Sequence, residues 1–156
     1  MAGEQKGTLA PTSAVRMTRE EIASFFDRRE AAYDDLDAAT LTADYADDAV
    51  VESPFGGTHH GREAIAAVFS AFFEGFPDVK MRTEHILIDG DQVAQLFKAE
   101  GTDLGRFLGL EPTGKSFHLI AMFWYELKNR KIVRERRIYD FTGLLLQIGV
   151  LKAKPI

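Results

Sequence analysis

Residues 115–141, KSFHLIAMFWYELKNRKIVRERRIYDF, hold two runs of alternating side chains around one turn signal, Asn129-Arg130. Alternation at a period of two marks β-strands, and a polar pair between two such runs marks a hairpin. On the first run His118, Ile120, Met122, Trp124 and Glu126 share one face, and Phe117, Leu119, Ala121, Phe123 and Tyr125 share the other. On the second run Arg134, Arg136, Ile138 and Asp140 lie together, opposite Val133, Glu135, Arg137, Tyr139 and Phe141. The mixed His118 set reads as a pocket wall. The Phe117 set reads as core, or as a subunit contact if it lies outward. A three-residue loop of Lys128, Asn129 and Arg130 sets position 118 opposite 140, whereas a two-residue Asn129-Arg130 loop shifts the register by one and separates the faces. Both remain open.

Upstream, Met81–Ile88 and Gln92–Thr102 are two further strands, divided by Asp89-Gly90 and followed by a Gly-rich segment. Before them the period changes to that of helices. Thr18 with Glu21 forms a capping box, and Ile22, Phe25, Phe26, Arg29, Tyr33 and Leu36 follow at spacings of three and four, so a helix is expected from Thr18 to about Asp37. A short helical turn around Leu41–Tyr45 and a strand over Asp47–Ser53 come next, and Pro54 with Gly56-Gly57 opens a loop carrying His59 and His60. From Gly61 the residues Ile65, Val68, Phe69, Phe72, Phe73 and Phe76 mark a second, greasier helix, ended by Gly75 and Pro77. The apolar tail from Thr142, TGLLLQIGVL, is expected to close the fold as a short helix or strand. Helices first and antiparallel strands afterwards define an α+β class.

The 156 residues suffice for one core, read here as a flexible tail over 1–16 and a single domain over 17–156. A net charge of −5 disfavours nucleic acid and anionic lipid, and the basic run Lys128 to Arg137 alternates with apolar residues as a solvated strand edge does. With no cysteine the chain suits a reducing cytoplasm, and no stretch is apolar and long enough to span a membrane. His59 and His60 are adjacent in an extended segment and point apart, so no metal site is expected. Gly101–Gly114 lacks the spacing of a phosphate-binding loop.

Several strings sharpen this outline: DLDAATLTADYADDAVVESP, GREAI, FPD, GTDLGRFLGLEPTGKSF and KIVRERRIYDFTGLLLQIG. Together, from about Thr18 to Val150, they resemble the SnoaL-like polyketide cyclases of the nuclear transport factor two-like superfamily. The resemblance implies a cone-shaped, curved antiparallel or mixed sheet wrapped around N-terminal helices, a cystatin-like α+β barrel. It implies a cofactor-free cyclase, isomerase or lyase acting on a hydrophobic carbonyl compound such as a polyketide ester, with Asp140 on the family's acid/base Asp. Arg136 stands where the family often has Trp, and Asp103 where it often has His. Arg136 or His118 is the expected electrostatic partner, and Arg136 beside Asp140 favours an ionised base over the opposing effect of an apolar wall. A helix cap is the alternative role for Asp140, and a surface ion pair for Arg136. Tyr33, Phe55, Phe69, Met122 and Trp124 are the expected ligand contacts. The partners expected are a hydrophobic small molecule and a second copy of the chain; a non-catalytic binding protein and an epoxide hydrolase-like enzyme are the rival functions.

Overall fold

The computed structural model describes residues 14–154. The Thr18 hydroxyl accepts from the Glu21 N–H at 3.1 Å, and the Glu21 carboxylate accepts from the Thr18 N–H at 2.8 Å, which satisfies two free donors at the start of helix α1 (Arg19–Asp34). The helix stops short of Asp37 because Leu36 turns left-handed at φ 54°, and Asp37 becomes the N-cap of α2 (Ala38–Ala43). Strand β1 (Tyr45–Ser53) follows. The segment bearing His59 and His60 is not an open loop but a short edge strand, β2 (Gly57–His60), because Gly56 and Gly57 at φ 75° and 77° fold the chain back onto β1. Helix α3 (Gly61–Gly75) then packs on β1 and α2.

Strands β3 (Lys80–Asp89), β4 (Gln92–Thr102), β5 (Ser116–Lys128) and β6 (Lys131–Tyr139) complete an unclosed six-stranded sheet of order β2-β1-β6-β5-β4-β3, capped by helix α4 (Phe141–Gln147). Only β1 and β6 run parallel, so the sheet is mixed. Helices α1 and α3 fill its concave side, and the core collects Phe26, Leu41, Phe69, Phe76, Phe97 and Ile132 between them. Of the tail expected over 1–16, residues 1–13 lie outside the described residues. Val15 donates its N–H to Asn129 Oδ1 at 3.1 Å, and Arg16 pairs with Asp91 at 3.3 Å. No helix among the described residues is long and apolar enough to cross a membrane.

The β5–β6 hairpin decides which face holds the site. Its connection is the two-residue turn, with Asn129 and Arg130 at φ 50° and 62° and Lys128 opposite Lys131. A bulge follows at once: Leu127 faces Ile132 but Glu126 faces Arg134, so Val133 is the unpaired residue. Beyond it Trp124 faces Arg136 and Met122 faces Ile138, and the ladder ends at Ala121 and Tyr139. The His118 set and the Arg136 set therefore do share a face, by an offset that neither loop length gives alone. That face is the outer one. Phe117, Ala121, Phe123 and Tyr125 are buried, whereas Ile120, Met122 and Ile138 are 60%, 39% and 63% exposed. The expectation that the His118 set walls a pocket is corrected here, as is the use of the Phe117 set as a subunit contact.

The Gly-rich segment has a structural role. Buried Asp103 accepts from the Thr113 N–H and hydroxyl, both at 2.9 Å, while Leu104 and Gly105 donate their N–H groups to the Gly75 carbonyl at 3.3 and 3.0 Å. The backbone comes so close to the end of α3 that a Cβ on Gly105 would lie 1.8 Å from the Glu74 carbonyl oxygen. This docking carries Phe107 into the interior against Phe76.

Candidate active site

The concave face encloses a cavity whose central space is about 60 Å³. A single water needs roughly 10–15 Å³ on the same measure, so a few waters fit, and a larger ligand has to push side chains apart. Its floor is the inner face of the sheet, where the small residues Ala99 and Ala121 leave room between Phe97, Phe117 and Phe123. Tyr33 and Phe69 close it from the helices, and Phe55 packs at a tilt against Phe107 and Phe141, with ring centroids 5.2 and 5.8 Å apart. The wall is apolar except for the hydroxyls of Tyr33 and Tyr139 and one cation, Arg137.

Arg137 ends a chain of buried polar groups. From α1, Arg29 is 2% exposed and donates to the Leu41 carbonyl at 3.0 Å, to Asp44 at 2.9 Å and to the Tyr45 hydroxyl at 3.1 Å. The Tyr45 hydroxyl donates to Glu135 Oε2, and Glu135, fully buried, accepts from Arg137 Nε at 2.6 Å on its other oxygen. The Arg137 guanidinium lies 5.2 Å from the Phe69 ring centroid and 5.1 Å from that of Phe123. Its Nη2 is buried and has no hydrogen-bond partner among the described residues. Burial works against the charge, but Glu135 and the neighbouring tyrosines outweigh it and hold Arg137 cationic. Burial pushes the Tyr33 hydroxyl up in pKa, with Arg137 and Arg29 opposing, and it pushes Tyr45 up further, with Glu135 adding to the effect.

Of the residues singled out in the sequence, the structure brings Tyr33, Phe55 and Phe69 together on the cavity wall. Met122 and Trp124 lie on the outer face of β5. Arg136 is also outside, 54% exposed, with its Nε on the Glu52 carboxylate. His118 lies beyond the end of the β5–β6 ladder, where the Gln147 amide takes the place of a strand: it accepts from the His118 N–H at 2.9 Å and donates to its carbonyl at 3.0 Å. Asp140 is exposed and caps α4, its Oδ1 accepting from the Gly143 N–H at 2.8 Å. It nevertheless falls between two wall residues, Tyr139 and Phe141. Sequence reasoning missed Arg137, Glu135 and Tyr45. The available signal was Arg29 within an otherwise apolar helical stripe, since a buried guanidinium requires buried carboxylates. Among the described residues no group of three or more His, Asp or Glu side chains is placed to hold a metal ion.

The open α+β sheet folded around an aromatic cavity with one cation in its wall is a ketosteroid isomerase-like fold, shared with solved structures. The chain belongs to the SnoaL-like polyketide cyclase family, whose sequence model matches residues 23–148. Among similar structures, IdmH from Streptomyces antibioticus, provisionally described as a polyketide cyclase, is 27% identical; the match covers 81% of this chain and 97% of that one, with a TM-score of 0.68. AclR from Streptomyces galilaeus, provisionally described as a hydroxylase, is 20% identical over 88% of this chain and 87% of that one, with a TM-score of 0.76. A hypothetical protein with a ketosteroid isomerase-like fold from Catenulispora acidiphila, solved in complex with trimethylamine, is 19% identical over 85% of this chain and 95% of that one, with a TM-score of 0.68. No curated protein sequence matches the chain.

Proposed function

We propose that the cavity receives a hydrophobic carbonyl compound of the polyketide ester type, and that the chain is a cyclase or isomerase acting through an enolate. The observation that carries this reading is Arg137, a cation in the wall of an otherwise apolar cavity whose Nη2 is left without a hydrogen-bond partner among the described residues. Negative charge that develops on a substrate oxygen there meets a fixed cation in a dry environment, where such stabilisation is strongest. Asp140 supplies the base in this scheme. Its carboxylate takes a proton from the carbon next to a carbonyl, the C–H electron pair becomes the enolate, and the enolate carbon attacks a second carbonyl to form the ring bond while that carbonyl's π pair moves to its oxygen, which takes the proton back from Asp140. Arg137 and Asp140 are three residues apart, about 10 Å along an extended strand. A substrate that reaches both is therefore elongated and conjugated, so that the charge formed at its acidic carbon at the rim is delocalised onto an oxygen inside, at Arg137. This chemistry needs a base and an oxyanion partner and no cofactor.

The test is α-proton exchange: elongated β-keto esters are incubated in deuterium oxide and followed by NMR with wild type and with Arg137→Lys. Exchange well above the buffer rate, and its loss in the variant, is the expected result; buffer-rate exchange with every ketone and ester sinks the enzyme reading. One observation favours the rival, a protein that binds without reacting: the Asp140 carboxylate already serves as a cap, and no carboxylate lines the cavity among the described residues. An epoxide hydrolase-like site needs two carboxylates around a water and finds none in that wall.

The outer sheet face supports a homodimer. Ile120, Met122 and Ile138 form its apolar centre, flanked by Arg134 and Arg136 on β6 and by Lys98 and Glu100 on β4. A two-fold axis through the centre lays this apolar patch on its own copy, as an isologous contact requires. Sedimentation at micromolar concentration checks it: a dimer that Ile138→Asp splits is expected, and a wild-type monomer refutes it.

A further inference from the structure

We propose that the cavity selects its ligand by an ionised oxygen: the preferred occupant is a planar organic anion, an acidic enol, phenol or carboxylic acid held as its conjugate base at Arg137. The proposal rests on the reading of the cavity as a small-molecule site, and it adds the ligand's charge. The Arg137 side chain is 9% exposed, and its only hydrogen bond among the described residues is from Nε to Glu135. Glu135 is not reserved for Arg137, since its second oxygen is taken by the Tyr45 hydroxyl, which also receives a donor from Arg29. Arg29 in turn shares Asp44 with half-exposed Arg28. The buried cations Arg29 and Arg137 are balanced by Asp44 and Glu135, and half-exposed Arg28 adds a third positive charge at the solvent end, so the connected cluster is cationic overall and Arg137, with Nη2 unpaired, is its member on the cavity wall.

An arginine does not shed its proton, so the cluster keeps that charge across the working pH range. Tyr33, the nearest wall hydroxyl on α1, is held neutral by burial and does not supply the missing anion. A neutral carbonyl offers Nη2 a dipole, whereas an anionic oxygen offers a charge-assisted bond roughly twice as strong. Geometry restricts the anion further. Phe69 and Phe123 flank the guanidinium, with ring centroids 5.2 and 5.1 Å from its central carbon, so a ligand oxygen that reaches it arrives between aromatic walls. A flat conjugated acid presents its oxygen in that way while its ring occupies the aromatic space beyond.

The experiment uses the full chain and a compact chromophoric acid, 4-nitrophenol, with 4-nitroanisole as its neutral counterpart. Visible absorbance reports the phenolate directly as pH is varied with and without protein. The expected result is a bound phenol pKa lowered by about 1–3 units, the effect of a cation within about 4–6 Å. That corresponds to roughly 10- to 1000-fold tighter binding of phenolate than of phenol. Nitroanisole should bind correspondingly weakly, and Arg137→Gln should abolish the shift while retaining nitroanisole. The wild-type comparison decides the matter by itself if that variant does not fold. An unshifted pKa, or nitroanisole binding as tightly as phenolate, overturns the anion proposal and leaves the small-molecule site standing. Binding of neither probe overturns both.

Discussion

Replacing Asp140 in two ways separates its two roles. Its Oδ1 accepts from the Gly143 N–H at 2.8 Å and so satisfies one free donor of a helix only seven residues long. Asp140→Ala removes that acceptor at an exposed site, where loss of an N-cap costs about 1 kcal/mol. For a chain of this size that is a fall in Tm of about 2–4 °C. Asp140→Asn retains the acceptor oxygen, because Asn caps helices about as well as Asp, and should leave Tm within about 1 °C of wild type. The amide, however, cannot act as a base, and loss of a positioned base costs about 100- to 10,000-fold in rate. Thermal unfolding by circular dichroism and α-proton exchange on a β-keto ester, run on the same samples, give the two readouts. Asp140→Asn with unchanged Tm and wild-type exchange refutes the base assignment. Asp140→Asn as unstable as Asp140→Ala refutes the cap argument on which the separation depends.

Glu135→Ala leaves the buried Arg137 guanidinium without its carboxylate, and urea unfolding should show a loss of about 3–5 kcal/mol; a loss under about 1 kcal/mol contradicts the charge chain described above. Tyr33, Tyr45 and Tyr125 all have pKa values raised above 10.0, chiefly by burial. Their contribution to stability is complete below the unfolded tyrosine value and is lost as pH climbs from there towards the folded values. Tyrosinate absorbance and circular dichroism should therefore change together in alkali, and ionisation of these residues in a still-folded chain counts against it. Gly105→Ala forces a Cβ towards the Glu74 carbonyl and should cost about 1–3 kcal/mol in chemical denaturation, whereas an unaffected variant means that the 103–115 segment is not docked as described.

The order of elements was legible because it is written in local periodicity. The capping box at Thr18, the three-and-four spacing through Tyr33 and the alternation in β4 and β5 each express themselves within a few residues. The β2 strand was not legible. Four residues after two glycines carry no period of their own, and their pairing with β1 is a tertiary fact. Helix α1 was read as running on to Asp37 for a similar reason, since nothing in the local spacing signals that Leu36 will take a positive φ.

The site was harder to read, and Val133 shows why. A hairpin's register is set by its turn, and one unpaired residue slides the remaining pairs by one position, yet alternation looks the same on either side of it. The faces of β5 and β6 can thus be listed correctly while their match across the hairpin stays open, and which of them turns inward is decided by the helices packed on the sheet. Charge argues for Arg136 as readily as for Arg137, because each has a carboxylate within reach: Glu52 for one and Glu135 for the other. What distinguishes them is cost. Arg136 sits in water, where its ion pair contributes little, while Arg137 has given up hydration and can persist only if partners are supplied from elsewhere in the chain. Arg29 in the apolar stripe of α1, Tyr45 at the start of β1 and Glu135 on β6 are those partners, and they lie far apart in sequence. The residues that define the cavity's chemistry are therefore recognisable not by any motif but by a buried charge whose compensation stops one hydrogen bond short, at Nη2.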